Sequence, residues 1–247
     1  MKARLGVLNL HGFTSSLDCV NCLNPYIEAL GVPYRMPTLR GHMQTPEALI
    51  GVTWKDWYAD AEAALEDLLT EADKVAVVGL SMGGLVTLHL AAEHPDEVDS
   101  IALVAAALKF RDPLAPGNTL SFLRPVIGRF VKWWAMTPNY TDKELENLAN
   151  NYRRAPMDAI VSLLEYSQYV EGRLPEVRVP ALILHSHKDQ TIDPKAAQII
   201  HDRISSTDKR LVWFERTSHE MMRDLEREKV FETIQAFLKE RLEKTQS

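Results

Sequence analysis

The chain has 247 residues, a formal net charge of −6, 46% hydrophobic and 25% charged residues. That length buries a sizeable core without disulfides or a structural metal, and the balance is ordinary for a globular protein. The absence of clustered Lys and Arg excludes a nucleic-acid surface, and no run approaches the roughly 18 apolar residues of a membrane span.

The N-terminal "MKARLGVLNLHG" carries charge and then a short apolar stretch. It reads as a strand running straight into His11 and Gly12, with no small-residue cleavage site, so a cytoplasmic chain is expected. "CVNC" places Cys19 and Cys22 at C-x-x-C spacing. A redox pair sits directly after a strand, whereas six residues separate Gly12 from Cys19. No further cysteine completes a zinc site, so two thiols packed at a helix start is the reading. "VPYRMPT" reads as a short second strand. "TWKDWYADAEAALEDLLTEA" is a helix capped by Thr53, with Trp54, Trp57, Ala61, Ala64, Leu65 and Leu68 on one stripe. "KVAVVGL" is a strand, "MGGLVTLHLAAEH" a helix stopped before Pro95, and "DSIALVAAA" a strand. Further on, "VPALILHSH" and "KRLVWFE" are strands, "PKAAQIIHDRI" is a helix opened by Pro194, and a last helix runs from Leu225 to Leu242. About six short, continuously apolar strands alternating with helices indicate a mostly parallel sheet with helices on both faces, the α/β class.

One region breaks the alternation. No strand is expected between Phe110 and Gly172. "TLSFLRPVIGRFVKWWAM" carries Leu120, Leu123, Ile127, Phe130 and Trp134 on one helical stripe and Phe122, Val126 and Trp133 off it, with a kink or break at Pro125. "TDKELENLANNYRRAP" and "MDAIVSLLEYSQYV" read as two more helices. The chain thus divides into a core of residues 1–109 and 173–247 and an inserted helical cap, 110–172. A cap greasy on two faces packs on the body with one and lines a ligand cavity with the other; a small core of its own, or a contact between two copies in a homodimer, is the alternative.

Gly79-Leu80-Ser81-Met82-Gly83 fits G-x-S-x-G at the junction of a strand and a helix. A nucleophile on so sharp a turn sits in strained backbone, and its neighbours two residues away must be small for the turn to close. Serine needs a base. Of the eight histidines, His219 lies in the loop after "RLVWFE", at the carboxyl end of a strand where open α/β sheets gather ligands. His185 and His187 come second. His89, His94 and His201 lie on or beside helices. Asp189, in the loop after the preceding strand, is the acid that orients the base, while Asp193 before Pro194 is placed to cap a helix. The order Ser, Asp, His is that of α/β-hydrolases. The backbone N–H groups of Met82 and Phe13 are the oxyanion donors, with Gly12 permitting close approach and His11 tying down the loop.

"HGFT", "RGH", "DW", "GLSMGG", "HKDQTIDP" and "ISSTDK" together are similar to the bacterial carboxylesterase and monoacylglycerol lipase family of α/β-hydrolases. The resemblance covers most of the body in the same order. It implies the α/β-hydrolase fold, esterase activity on short- to medium-chain esters or monoacylglycerols, the triad Ser81, Asp189 and His219, and the donors Phe13 and Met82. Against that resemblance, the antiparallel strand often found ahead of "HGF" is expected to be missing, and no clear counterpart of the cap glutamate that holds glycerol is read in "APGNTLSFLRPVIGRFVKWW". A serine carboxylesterase is therefore placed ahead of a monoacylglycerol lipase. A hydrolase-fold acyltransferase and a ligand receptor with weak turnover are the alternatives. The expected partner is a small ester with an apolar acyl chain, and the chemistry calls for neither metal nor organic cofactor.

Overall fold

A computed structural model describes residues 2–112, 115, 118 and 130–244. Six strands form one sheet: β1 (Ala3–Leu10), β2 (Tyr34–Arg35), β3 (Ala72–Leu80), β4 (Val98–Val104), β7 (Ala181–Ser186) and β8 (Lys209–Phe214). Their spatial order is β2-β1-β3-β4-β7-β8, and every adjacent pair is parallel. The chain leaves β1 for β2 on one side and returns as β3 on the other, so the topological switch lies between β1 and β3. Such a switch point is where open α/β sheets open a crevice at the strands' carboxyl ends. The register pairs Leu10 with Gly79 and Leu80 with Val104, bringing the loops that follow β1, β3 and β4 side by side.

Side chains that alternate along these strands feed two cores. Leu8, Val77, Ile101 and Ile183 face one side, where α2 (Trp54–Leu68), α3 (Met82–Glu93) and α5 (Met157–Arg173) supply Trp57, Leu65, Leu85 and Tyr166. Val7, Val78, Val104 and Leu184 face the other, against Ile27 of α1 (Asn24–Glu28) and Phe231 and Ile234 of α7 (Arg227–Lys244). Both faces are covered, which explains why these strands read as continuous apolar runs. α6 (Lys195–Arg203) follows β7 and packs on the first face with Ala196, Ala197 and Ile200. Thr53 caps α2 as expected, its N–H donating to Asp56 Oδ2 at 2.9 Å.

The helix expected over "MDAIVSLLEYSQYV" is present as α5, but residues 130–156 depart from the sequence expectation. The helical stripe through Leu120, Leu123 and Ile127, with Phe122, Pro125 and Val126, lies outside the described residues. Trp133 and Trp134, expected on a helix, stand instead in β5 (Trp133–Ala135), antiparallel to β6 (Arg154–Pro156) with Trp134 opposite Ala155. The expected absence of strands between 110 and 172 is thus corrected. The Arg154 guanidinium lies 4.5 Å from the Trp133 ring centre, a cross-strand cation–π pair that favours the ladder over either local helix. Likewise "TDKELENLANNYRRAP" is helical only in α4 (Lys143–Leu148), capped by Asp142 Oδ1 accepting from the Glu144 N–H at 2.9 Å. Beyond Ala149 the backbone is drawn out to the core, where the Tyr152 N–H donates to Thr14 O at 2.8 Å.

Candidate active site

Ser81 ends β3 with φ 54° and ψ −112°, a conformation that L-residues seldom adopt. Its N–H donates to Val104 O at 2.9 Å, and its carbonyl accepts from Gly84 at 2.9 Å and Ala107 at 3.1 Å, which over-determines the strained turn. The glycines of the motif have steric work. A Cβ on Gly79 would stand 2.3 Å from Gly83 O, and one on Gly83 would stand 2.4 Å from Leu10 O. Either contact would push α3 off the end of the sheet. Thr14 after β1 and Ala105 after β4 also have positive φ, so backbone strain gathers at the same edge.

The structure brings Ser81, Asp189 and His219 together from three loops. His219 Nε2 lies 3.0 Å from Ser81 Oγ, and His219 Nδ1 lies 2.8 Å from Asp189 Oδ2. The carboxylate accepts a hydrogen bond from Nδ1–H, which fixes the tautomer and leaves Nε2 free to accept from the serine hydroxyl. Asp189 is fully buried and its Oδ1 accepts from the Thr191 and Ile192 N–H groups, both at 2.8 Å. Burial works to raise its pKa, but the His219 charge and hydrogen bond, with these backbone donors, hold it below the usual carboxylate value. For His219, burial works to lower the pKa and Asp189 overcomes it, leaving the imidazole raised above 6.5. His185 is not at the serine. It sits behind the acid, its Nε2 3.4 Å from Asp189 Oδ2, and burial lowers it to about 4. His187 stacks on Trp213 at 4.4 Å on the surface side.

Phe13 lies in the turn after β1 and Met82 is the first residue of α3, so the Met82 N–H has no acceptor within its helix. The loop carrying Phe13 is anchored by two buried histidines. His11 Nδ1 donates to Gly12 O at 2.9 Å while its Nε2 accepts from the Leu39 N–H at 3.0 Å. His42 Nε2 accepts from the Thr14 N–H at 3.1 Å while its Nδ1 donates to Leu39 O at 3.0 Å. Each ring has both nitrogens occupied in the neutral state. Burial, the larger cause in both, lowers His11 to about 4 and His42 to about 3. They are struts rather than proton carriers.

Residues 1–226 match the family Hydrolase_4, described as serine aminopeptidase, S33. The chain belongs to this family. It is 26% identical over 234 residues to a carboxylesterase of Bacillus subtilis (strain 168), covering 94% of this chain and 91% of that one. It is 29% identical over 234 residues to a thermostable monoacylglycerol lipase of Bacillus sp. (strain H-257), covering 92% and 88%. Among solved structures it is similar to one from the work on LipS and LipT, two metagenome-derived lipolytic enzymes, at TM-score 0.87 and 29% identity, covering 97% and 95%. The fold is the α/β-hydrolase fold of Hydrolase_4.

A cavity of about 430 Å³ opens beside the serine turn, within the usual size range of small-molecule sites. Its walls are mainly apolar, with Phe13 and Phe110 on one side and Met136, Ile160, Leu163 and Leu164 on the other. It adjoins a smaller cavity of about 60 Å³ that Ser81 and His219 line, the two sharing Phe13, Met136 and Leu163.

Three residues of this Hydrolase_4 site carry no sequence signal that singles them out. His42 is one, although "RGH" belongs to the quoted motifs. The other two are carboxylates that hold the His219 loop. Glu226 Oε2 accepts from the N–H groups of Glu215, Arg216 and Thr217 at 3.1, 2.7 and 3.1 Å. Asp224 Oδ2 accepts from Ser218 at 2.8 Å and from Thr141 at 2.7 Å, tying that loop to residue 141 across the site. An acidic residue several positions past a histidine is too common a spacing to be read as an anchor. Cys19 and Cys22 are both free thiols, and burial, helped by the Glu220 charge, raises Cys19 to about 12, far from the thiolate that redox exchange requires. Among the described residues no three His, Cys, Asp or Glu side chains are grouped to hold a metal ion, and no helix is long and apolar enough to cross a membrane.

Proposed function

We propose that the chain is a serine carboxylic-ester hydrolase of short- to medium-chain acyl esters, working through an acyl-enzyme intermediate. The observation that carries this reading is the continuous hydrogen-bond chain from Asp189 through His219 to Ser81, which ends in a small cavity that adjoins the larger apolar one. His219 Nε2 takes the Ser81 proton as Oγ attacks the ester carbonyl. The Phe13 and Met82 N–H groups hold the oxyanion. His219 then delivers its proton to the leaving alcohol, and water repeats the sequence to free the acid and restore the serine. Asp189 keeps the imidazole in the productive tautomer and stabilises its charge. The body is formed by residues 1–109 and 173–247. Residues 110–172 serve as the cap, and Met136, Ile160, Leu163 and Leu164 receive the acyl chain, each buried methylene adding about 0.8 kcal/mol.

The relatives named carboxylesterase and monoacylglycerol lipase support an ester rather than the peptide bond of the family's description. The test is turnover of p-nitrophenyl butyrate beside an aminoacyl p-nitroanilide. The ester is expected to be hydrolysed and the anilide spared, and Ser81→Ala is expected to lower ester turnover by about 10⁴-fold or more. Near wild-type turnover by Ser81→Ala would remove the serine mechanism, and preference for the anilide would replace the esterase by a peptidase.

A further inference from the structure

The segment between β5 and α4 meets the two loops that carry Asp189 and His219. Thr137, Pro138 and Asn139 line the smaller cavity together with Ser81 and His219. By sequence this segment belongs to the inserted residues 110–172. By its hydrogen bonds it belongs with the acid and the base.

Asn139 reaches the chain neighbours of both. Its carbonyl accepts from the Glu220 N–H at 3.2 Å, and its side-chain Oδ1 accepts from Ser218 Oγ, so the residues on either side of His219 are both held. The same Oδ1 accepts from the N–H of Gln190, the residue after Asp189, at 3.4 Å. A backbone N–H can only donate, which makes the atom facing Gln190 the amide oxygen. Ser218 Oγ also stands 3.2 Å from the carbonyl of Lys188, the residue before Asp189. A hydroxyl has one proton, so Ser218 shares it between the inserted segment and the loop of the acid. Ser186 ties the same loops nearer the sheet, its Oγ donating to Thr217 O at 2.5 Å and accepting from the Lys188 N–H at 3.0 Å. Asn139 adds a second tie, made to residues directly beside the acid and the base. Its own place is kept by the N–H groups of Thr141 and Asp142, which donate to Asp224 at 2.7 and 3.2 Å. Asp189, Ser218 and His219 are all buried, so water cannot readily replace a tie that is lost.

We infer that Asn139 is a positioning residue for the acid–base pair, its side-chain oxygen tying the loop of Asp189 to the loop of His219 and so setting the separation across which the imidazole is oriented. The inference rests on the serine-hydrolase reading above and adds a residue to it. Asn139→Leu keeps the bulk of the side chain and the backbone carbonyl but removes Oδ1, whereas Asn139→Asp keeps an acceptor there. With p-nitrophenyl butyrate, Asn139→Leu is expected to lower kcat by about 10²-fold with KM within about twofold, the loss that a misplacement of about 1 Å brings. Asn139→Asp is expected to stay within about tenfold of wild type at its optimum. The pH profiles should move in opposite directions. Asp189 and Glu220 raise His219 against its burial, and neither is replaced. Loosening Asp189 from the ring in Asn139→Leu lets burial prevail, so the acid limb of kcat/KM should move to lower pH. The added charge of Asn139→Asp favours the imidazolium, so its limb should move to higher pH. Ser218→Ala removes the proton that Oδ1 accepts, and it carries the test where Asn139→Leu does not fold: a smaller fall in kcat is expected, with the limb again moving to lower pH. A residue that only stabilises the fold would lower the unfolding temperature and leave the limb in place; that result, or a kcat for Asn139→Leu within threefold of wild type, overturns the inference. The Nδ1 proton of His219, followed as a low-field resonance that His219→Gln lacks, is read without any substrate. It should exchange with water faster in Asn139→Leu and not in Asn139→Asp. If the wild type turns over no ester, this resonance alone decides: faster exchange in Asn139→Leu keeps the positioning role while the hydrolase reading falls, and unchanged exchange removes both.

Discussion

The two walls of the site are held by different means. On the sheet side, Ser81, Asp189 and His219 stand on loops whose backbone groups are bound one by one: Asp189 by Thr191 and Ile192, the His219 loop by Asp224 and Glu226, the Phe13 loop by His11 and His42. On the other side, α5 and β6 meet the core through apolar packing and partly exposed pairs. Arg154 reaches Glu47 at 2.5 Å, Asp158 Oδ2 accepts from the Gly51 N–H at 2.8 Å, and Trp54 stacks on Tyr166 at 4.9 Å. The difference matches what each wall must do. Proton transfer tolerates little misplacement, and buried backbone hydrogen bonds fix atoms far better than exposed ion pairs, which contribute about 0–1 kcal/mol each. Substitutions on the sheet side should therefore change rates, and substitutions on the other side should change which ester is preferred.

The largest effect in this comparison is expected from Asp189→Asn. It keeps the shape of the acid but removes the charge that orients and stabilises the imidazole, and kcat is expected to fall by about 10⁴-fold with KM little changed. The pH profile gives an independent reading. Burial works to lower His219 and Asp189 raises it past 6.5. The base is active when neutral, so wild-type kcat/KM should decline as the pH falls through a value above 6.5. Without the carboxylate, burial prevails and that acid limb should move to lower pH. Stopped assays of an activated ester across the pH range would check both. An unchanged limb would mean that Asp189 does not set the state of His219.

A smaller loss is expected from His42→Phe. The ring contacts with Trp57 and Tyr152, at 6.3 Å to each centre, would be kept, but the Thr14 N–H would lose its buried acceptor. That loss destabilises the loop by about 1–3 kcal/mol and lets the neighbouring Phe13 N–H drift from the developing oxyanion. A fall in kcat of about 10²-fold with KM within about twofold is expected, as for loss of one oxyanion donor. A rise in KM at constant kcat would make His42 a ground-state binding residue instead.

The sheet-side wall was also the more legible one in the sequence. The turn at Ser81 is legible in five consecutive residues; the collisions that demand glycine at Gly79 come from the turn and the helix after it, while those at Gly83 come from Leu10 and His11 at the end of the neighbouring strand β1. Asp189 and His219 follow from the rule that loops at strand carboxyl ends meet. What was not legible depends on partners distant in the chain. "KWWAM" has nothing local to choose a strand over a helix; the choice comes from Arg154 and Ala155 across the ladder. "NNYRRAP" leaves the helix pattern because Thr14 and Gly41 bind Tyr152. Asn139 looked like any polar residue of the inserted segment, and only its bonds to Ser218, Gln190 and Glu220 distinguish it.

The mildest prediction concerns the apolar wall. Ile160 on α5 lines the larger cavity but not the smaller one, and no hydrogen bond from its side chain supports the triad. Ile160→Trp fills part of the space assigned to the acyl chain while leaving the sheet-side loops untouched. With about 0.8 kcal/mol per buried methylene, excluding two methylenes corresponds to about tenfold in specificity. The ratio of kcat/KM for p-nitrophenyl hexanoate over butyrate should fall by that factor, while kcat/KM for the acetate stays within about threefold of wild type. The acetate is the control that separates the walls: its chain is too short to reach Ile160, so any large loss on acetate would mean that the α5 side also shapes the reacting centre. If instead all chain lengths fall together, the two walls do not divide rate from preference, and the acyl chain lies elsewhere than between Phe110 and α5.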